Sequence, residues 1–287
     1  MSGDVLSIIH NKLPSLSKGQ RRIGEYILAS YDKAAFLTAS TLGKAVQVSE
    51  STVVRFACEL GYEGYPQMQK ALQDIVLSRL TSVQRMDVAN EKLEDEDIVG
   101  AVLQGDIERL QESKELVDRR VFDSVVDALL GARRVYVMGV RSSSALSSFL
   151  CYYLNYMLPD VRLVTACSDS EVFEQIVRIS PEDAFFGISF PRYSSVTVQA
   201  MSYAKNAGAK VIALSDCPSS PLYALCEHFL PAKSDMVSLV DSLVAPLSVI
   251  NALLVAIAAR RRSETDATLE KLEEIWDMYH VYEKIGE

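Results

Sequence analysis

From Ser17 to Tyr31 the apolar positions Ile23, Tyr26, Ile27 and Leu28 recur at helical spacing behind a candidate N-cap at Ser17, which predicts a first helix. TASTLGKAVQV predicts a short second helix with Leu42, Ala45 and Val46 inward, then a turn at Val46 to Val48. SESTVVRFACELGY predicts a third, capped by Ser49, striped by Val53, Phe56, Ala57 and Leu60, and stopped at Gly61. Thr81 to Asp97 is polar and charged with no apolar stripe, and reads as a linker. Two more helices follow in DIVGAVLQGDIERLQESKEL and RRVFDSVVDALLGARR, either covering the body or pairing between subunits.

After Gly131 the period changes. Short apolar runs (VYVMGV, VRLVT, AFFGISF, KVIALSD and HFLPA) alternate with helical stretches, SPLYALCEH among them, which predicts a parallel sheet flanked by helices on both faces. TLEKLEEIWDMYHVYEKIGE predicts a last helix with Leu269, Leu272, Ile275, Trp276 and Tyr279 on one side, expected to pack on its own body in preference to a neighbour. The expected organisation is an all-α helix-turn-helix domain over 1–80, a linker over 81–97, an α/β domain over 98–264 and a C-terminal helix over 265–287.

The 287 residues, 49% hydrophobic and 23% charged, suffice for two globular domains. LVDSLVAPLSVINALLVAIAA is nearly long enough to cross a bilayer, but Asp241, Pro246 and Asn251 interrupt it, so a buried helix is expected. With no secretory signal in MSGDVLSIIHNK, the expected compartment is the cytoplasm. Five cysteines without a CxxC pair indicate neither a disulfide framework nor a zinc site, and no cofactor or metal is expected. The net charge of -9 speaks against nucleic acid until it is divided. Residues 1–80 hold nine Lys and Arg against seven Asp and Glu, for +2, and the remainder carries -11. That asymmetry suits a small nucleic-acid module on an acidic body.

Two short helices joined by a tight turn, with a third packed on them, form the helix-turn-helix arrangement, whose second helix enters the major groove. Its outward positions here are Glu50, Ser51, Thr52 and Arg55. Hydroxyls donate or accept, and an arginine pairs bidentately with guanine. Lys18, Arg21, Arg22, Lys44 and Lys70 are the candidate phosphate contacts. A plain helical bundle with solvated charges explains the same pattern. The run SESTVVRFACELGYEGYPQMQKAL, with LGKAVQV before it, resembles the DNA-binding domain of the RpiR family of bacterial transcriptional regulators. Ser49, Thr52, Arg55, Phe56, Leu60, Gly61, Tyr62, Gly64 and Tyr65 carry that resemblance, which implies binding of a double-stranded DNA operator through the helix that begins at Ser49.

In the body, ligands are expected at the carboxyl ends of the strands. GVRSSS places Arg141, Ser142, Ser143 and Ser144 at a helix start, and SFPRYSS places Ser189, Arg192, Ser194 and Ser195 at another. Helix-start amides, hydroxyls and forked guanidinium donors suit a small anion, whereas serines before helices are also ordinary caps. GVRSSS and AKNAGAKVIALSDCPSSPL resemble a SIS domain, the sugar isomerase fold of phosphosugar enzymes and of RpiR-type regulators, over about residues 120–260. Such domains usually carry Ser-x-Ser-Gly-x-Thr at the third strand. Here Pro191, Arg192 and Ser194 stand where Ser, Gly and Thr are expected, so the loop is not expected to take a positive φ, and Arg192, with Arg141, is expected to bind the anion by its side chain.

The resulting expectation is a homodimeric or homotetrameric DNA-binding regulator, not an enzyme, that senses a phosphosugar, a sugar acid or another small anion. Two other readings are a phosphosugar isomerase and a SIS scaffold that only dimerises. The isomerase needs a general base: His10 lies outside the domain, His280 near the tail and His228 at a strand start, while Glu171 and Glu174 could serve but also read as a solvated helix face.

Overall fold

The computed structural model describes residues 5–79, 97–166, 168–234 and 240–282. Apart from Asp97, the expected linker lies outside the described residues. Two compact units result, one from residues 5–79 and one from the described residues beyond them.

The first unit is all helical: α1 (Val5–Lys12), a 3-10 turn (Leu13–Ser15), α2 (Lys18–Ala29), α3 (Tyr31–Ala34), α4 (Ala39–Ala45), α5 (Glu50–Glu59) and α6 (Tyr65–Arg79). Ser17 starts α2 through a capping box, its Oγ accepting from the Gln20 amide while Gln20 Oε1 accepts from the Ser17 amide. The inward positions Ile9, Ile23, Ile27, Leu42, Val53, Phe56, Met68 and Leu72 are fully buried in one core. Sequence periodicity assigned no element to α1 or α6. The latter is held by its polar side, where Tyr65 Oη and Gln69 Nε2 donate to the Leu37 carbonyl at 2.6 and 2.8 Å.

The second unit begins with α7 (Ile98–Leu116) and α8 (Arg119–Leu130). It continues β1 (Val135–Gly139), α9 (Ser143–Met157), β2 (Val161–Val164), α10 (Asp169–Ile176), β3 (Ala184–Ile188), α11 (Ser195–Asn206), β4 (Lys210–Ser215), β5 (His228–Pro231), α12 (Val244–Arg260) and α13 (Arg262–Met278). The five strands are parallel in the order β2-β1-β3-β4-β5. Alternate residues of the central strands face opposite layers. Val137, Phe186 and Leu214 pack with α8, α9 and α12, and Met138, Phe185 and Ala213 pack with α10 and α11. This bears out the expected parallel sheet covered on both faces.

At the amino ends of the strands, charged pairs pin the sheet. Arg133 grips buried Asp183 with two guanidinium hydrogen bonds of 3.0 and 2.9 Å, and Arg134 reaches Asp160 at 2.5 Å.

Two details depart from expectation. SPLYALCEH forms no helix: residues 218–225 run as successive tight turns, among them Tyr223 N–H to the Ser220 carbonyl and Leu225 N–H to the Leu222 carbonyl. Its amides return mostly to carbonyls three residues back, and Cys226 N–H alone reaches four back, to the Leu222 carbonyl at 3.1 Å. The last helix begins at Arg262 instead of residue 265, and its apolar side is only partly covered: Thr265 is buried and Leu272 and Trp276 are half-buried, while Leu269, Ile275 and Tyr279 are exposed. Exposed apolar residues also run along α7, from Ile98 and Val99 through Val102, Leu103 and Ile107. No single helix among the described residues is long and apolar enough to cross a membrane, and α12 and α13 meet at 99°.

Candidate DNA-reading face and ligand crevice

In the first unit, α4 and α5 are joined by residues 46–49. Thr38 caps α4 by accepting from the Thr41 amide, and Ser49 caps α5 by accepting from the Thr52 amide. The turn is tight because Val48 N–H returns to the Gly43 carbonyl at 2.8 Å and Gln47 takes a positive φ of 56°. A Cβ on Gly43 would lie 2.9 Å from the Val48 carbonyl oxygen, so only glycine lets the turn fold back this closely. Arg22 secures the turn by donating from Nη2 to the Gln47 carbonyl at 3.2 Å.

Glu50, Ser51 and Arg55 are exposed on α5, and Arg55 Nε donates to the Ser51 carbonyl at 3.2 Å, which lays the guanidinium along the first turn of the helix. Thr52 is half-buried. Its hydroxyl is 2.8 Å from Ser49 Oγ, and its methyl carbon lies 3.6 Å from where a Cβ on Gly19 would sit, so the start of α2 rests against α5. That contact brings Lys18 beside the turn. Lys44 is exposed in the last turn of α4, Lys70 is exposed on α6, and Arg21 donates to the Pro14 carbonyl at 3.1 Å.

The strand order of the second unit reverses direction between β1 and β3, and in open parallel sheets the crevice outside the carboxyl ends at such a point is where ligands bind. The loops that leave β1 and β3 are GVRSSS and SFPRYSS. In each, the arginine takes a left-handed conformation, Arg141 with φ 57° and Arg192 with φ 63°. This corrects the expectation that the loop, lacking glycine, would avoid positive φ. The surroundings of Arg192 impose it: Ser194 N–H donates to Ser189 Oγ at 3.1 Å on one side, and Tyr193 Oη donates to Asp216 on the other. Non-glycine residues held this way are strained and concentrate at functional sites.

The serines divide by partner. Ser189 is buried and its hydroxyl closes the loop, while Ser194 caps α11 through the Thr197 amide. Ser195 is exposed in the first turn of α11. Ser143 is buried at the start of α9, and Ser144 Oγ donates to the Arg141 carbonyl at 2.6 Å. Exposed Ser142 donates to Asp241 Oδ2 at 2.8 Å. A cavity of about 240 Å³ opens beside the β1 loop, lined by Arg141, Ser144, Ser148, Thr165 and Ala166 among others. A Cβ on Gly139 would lie 2.5 Å from the Ser143 carbonyl oxygen, so the glycine lets α9 begin directly over the strand end.

Sequence reasoning missed three members of this network. Ser215 Oγ donates to the Ser189 carbonyl at 2.6 Å, and Asp216 accepts from Tyr193 at 2.8 Å. Burial, followed by the nearby Asp216 charge, pushes the Tyr193 phenol and the Cys217 thiol above their ordinary ranges, so both stay protonated. Asp241 is the third. It lies in the entry to α12, 99 positions from Ser142, a pairing no local pattern could signal. His228 begins β5 at the amino end of the sheet, and exposed Glu171 and Glu174 face solvent on α10. Among the described residues no group of side chains is arranged to hold a metal ion.

Comparison with known proteins identifies both domains. Residues 3–78 match the helix-turn-helix domain of the rpiR family and residues 128–256 match the SIS domain. The transcriptional regulator HexR of Pseudomonas aeruginosa is 26% identical over 277 residues, covering 94% of this chain and 95% of that protein. The solved sugar isomerase domain of an RpiR transcription factor from Sphaerobacter thermophilus is 27% identical with a TM-score of 0.60, covering 62% of this chain and 99% of that one. The Vibrio vulnificus NanR protein complexed with ManNAc-6P shares the fold at 22% identity and a TM-score of 0.59, over 95% of this chain and 98% of that one. The chain belongs to the RpiR family of DNA-binding transcriptional regulators, with a helix-turn-helix domain ahead of a SIS domain.

Proposed function

We propose that the SIS domain senses a small anionic sugar derivative, a phosphosugar before a sugar acid, and that its occupancy sets the affinity of the helix-turn-helix domain for an operator. The observation that carries this reading is the pair of left-handed arginines, Arg141 and Arg192, in the two loops that leave adjacent strands at the reversal point. An exposed guanidinium in each loop offers forked donors to a phosphate or carboxylate, so side-chain charge takes over what a glycine-rich loop does with amides. That NanR shares this fold and was solved with ManNAc-6P supports a phosphorylated sugar.

The protein is not an enzyme in this reading. The site has hydroxyls and cations but no histidine, and its carboxylates, Asp216 and Asp241, are taken up by Tyr193 and Ser142. Operator reading falls to Arg55 and Ser51, with Thr52 shaping the helix start and Lys18, Arg22, Lys44 and Lys70 meeting phosphates. The protein works in the cytoplasm as a homodimer or homotetramer, for which the exposed apolar residues of α7 and α13 offer contact area.

The test is fluorescence anisotropy on DNA from the protein's own upstream region, at two salt concentrations, with a panel of sugar phosphates and sugar acids. Salt-sensitive, specific binding that one compound shifts is the expected result. Specific DNA binding indifferent to every compound would leave the scaffold reading, and turnover of a phosphosugar would favour the isomerase. Sedimentation of the full chain reads the oligomeric state.

A further inference from the structure

The proposed anion site already holds an anion. Ser142, the residue before α9, gives its hydroxyl hydrogen to Asp241 Oδ2 at 2.8 Å, while Asp241 Oδ1 is buried with no hydrogen-bond partner. A carboxylate oxygen shut away from water without a donor is costly, and the cost falls away once the carboxylate moves out. The start of α9, a 15-residue helix, favours one negative group. A ligand phosphate and the Asp241 carboxylate cannot both take the Ser142 donor.

Asp241 is also tied to a second element. The next residue, Ser242, donates from Oγ to Asp106 Oδ1 on α7 at 2.6 Å, and its carbonyl accepts from Ser234 Oγ at 2.8 Å. Asp106 in turn lies 3.9 Å from Arg109 on the same helix, whose buried Nε has no partner. The short segment between the anion site and α12 is thus fastened at one end to the β1 loop and at the other to α7, the first described helix after residues 80–96.

We infer that Asp241 is an internal competitor for the ligand: it occupies the Ser142 donor in the unliganded protein, sets the threshold for anion binding, and on displacement passes the change through Ser242 and Asp106 to α7. This rests on the phosphosugar reading above. It also gives Asp241 a role in selectivity, because a neutral sugar carries no charge with which to evict a carboxylate, whereas a phosphate does. The differential affinity that a ligand needs in order to shift a two-state equilibrium arises here from repulsion in one state and its relief in the other.

The experiment uses the full chain and three variants, Asp241→Asn, Asp241→Ala and Ser242→Ala, each checked by circular dichroism and thermal melting. Calorimetry with inorganic phosphate, glucose 6-phosphate and ManNAc-6P measures binding directly, and anisotropy on operator DNA measures the response. Asp241→Asn keeps the shape and removes the charge. It is expected to bind the active compound about fivefold tighter or more, a gain of the size a charge at a helix start commands. Its DNA affinity without ligand is expected to move toward that of the liganded parent. Ser242→Ala is expected to bind the compound with the parent's affinity yet lose most of the DNA response.

Failure of the parent to bind any of these compounds, or any of the wider sugar-phosphate and sugar-acid panel, would overturn the sensor reading, and this inference with it. Binding by the parent with equal or weaker binding by both Asp241 variants would overturn only the competitor role, weaker binding identifying Asp241 as an acceptor for a ligand hydroxyl. A full DNA response in Ser242→Ala would overturn the route through α7.

Discussion

Tyr193 donates a hydrogen bond to the Asp216 carboxylate across 2.8 Å, and so ties the loop that leaves β3 to the loop that leaves β4. Asp216 also lies 3.1 Å from Ser215 Oγ, whose own donor goes to the Ser189 carbonyl. The backbone around the left-handed Arg192 is therefore held by bonds that its neighbours Ser189, Tyr193 and Ser194 make. Arg192→Gly should keep the loop's shape, since glycine adopts φ 63° without strain, while losing most of its affinity for the anionic ligand. Tyr193→Phe should show the opposite pattern, losing about 1 kcal/mol of stability with the guanidinium still present. Melting curves and calorimetry on the two variants separate the roles, and equal ligand binding by Arg192→Gly and the parent would remove Arg192 from the site.

On the DNA side, Arg55→Ala should weaken specific operator binding by about 1–3 kcal/mol and relax preference at one base pair, as expected for loss of a base contact. Lys44→Ala should weaken operator and unrelated DNA alike and lower the salt slope by about 1. Anisotropy titrations over a salt series distinguish the two patterns.

Gly43→Ala tests the turn itself. Its Cβ would meet the Val48 carbonyl oxygen at 2.9 Å, in contact with backbone that has no room to yield. A loss of about 1–3 kcal/mol from the helical unit is expected, with weaker DNA binding and unaltered ligand binding in the SIS domain. Unchanged operator affinity in this variant would contradict the tight-turn geometry.

Asp183 should govern part of the acid limb of stability. Burial alone would raise its carboxyl, but hydrogen bonds from the Arg133 and Ser180 side chains and the Ser180 amide hold it below the ordinary carboxylate range. A carboxyl that is more acidic in the native state than in the unfolded one stabilises fully above the unfolded value of about 3.9, and the contribution fades as pH falls through the native value. Asp183→Asn should cost about 1–3 kcal/mol near neutral pH, because the Arg133 and Ser180 donors lose their shared acceptor, and its denaturation should vary less steeply with acid. Urea midpoints measured from pH 7 down to pH 3 give both quantities.

The parallel sheet was legible because its central strands are buried on both faces and read as unbroken apolar runs, as VYVMG and AFFGI do. The DNA-binding helices were legible through their apolar spacing and the caps Ser17 and Ser49, which lie where side-chain oxygens meet free amides, whereas the Thr38 cap emerged only from the structure. Periodicity failed at α6, whose stripe of Met68, Leu72 and Val76 is narrow and whose anchoring is polar. It also fails at residues 218–225, where an apolar pattern at helical spacing runs as successive tight turns instead of a helix. In the candidate site, residue types and loop positions could be read from the strand ends, but their allocation could not. Whether a serine caps a helix, closes a loop or meets Asp241 depends on residues up to 99 positions away.

The charged pairs beneath β1, β2 and β3 have a consequence for how such a protein can change over generations. Arg133, Asp183, Arg134 and Asp160 brace the sheet at its amino ends, whereas every loop of the candidate site leaves from the opposite ends. The bracing pairs and the candidate site thus lie at opposite poles of one sheet. New ligand preferences can be explored by exchanging loop residues while the scaffold stays folded, which leaves room for a proline and an arginine where a glycine-rich loop is the commoner solution.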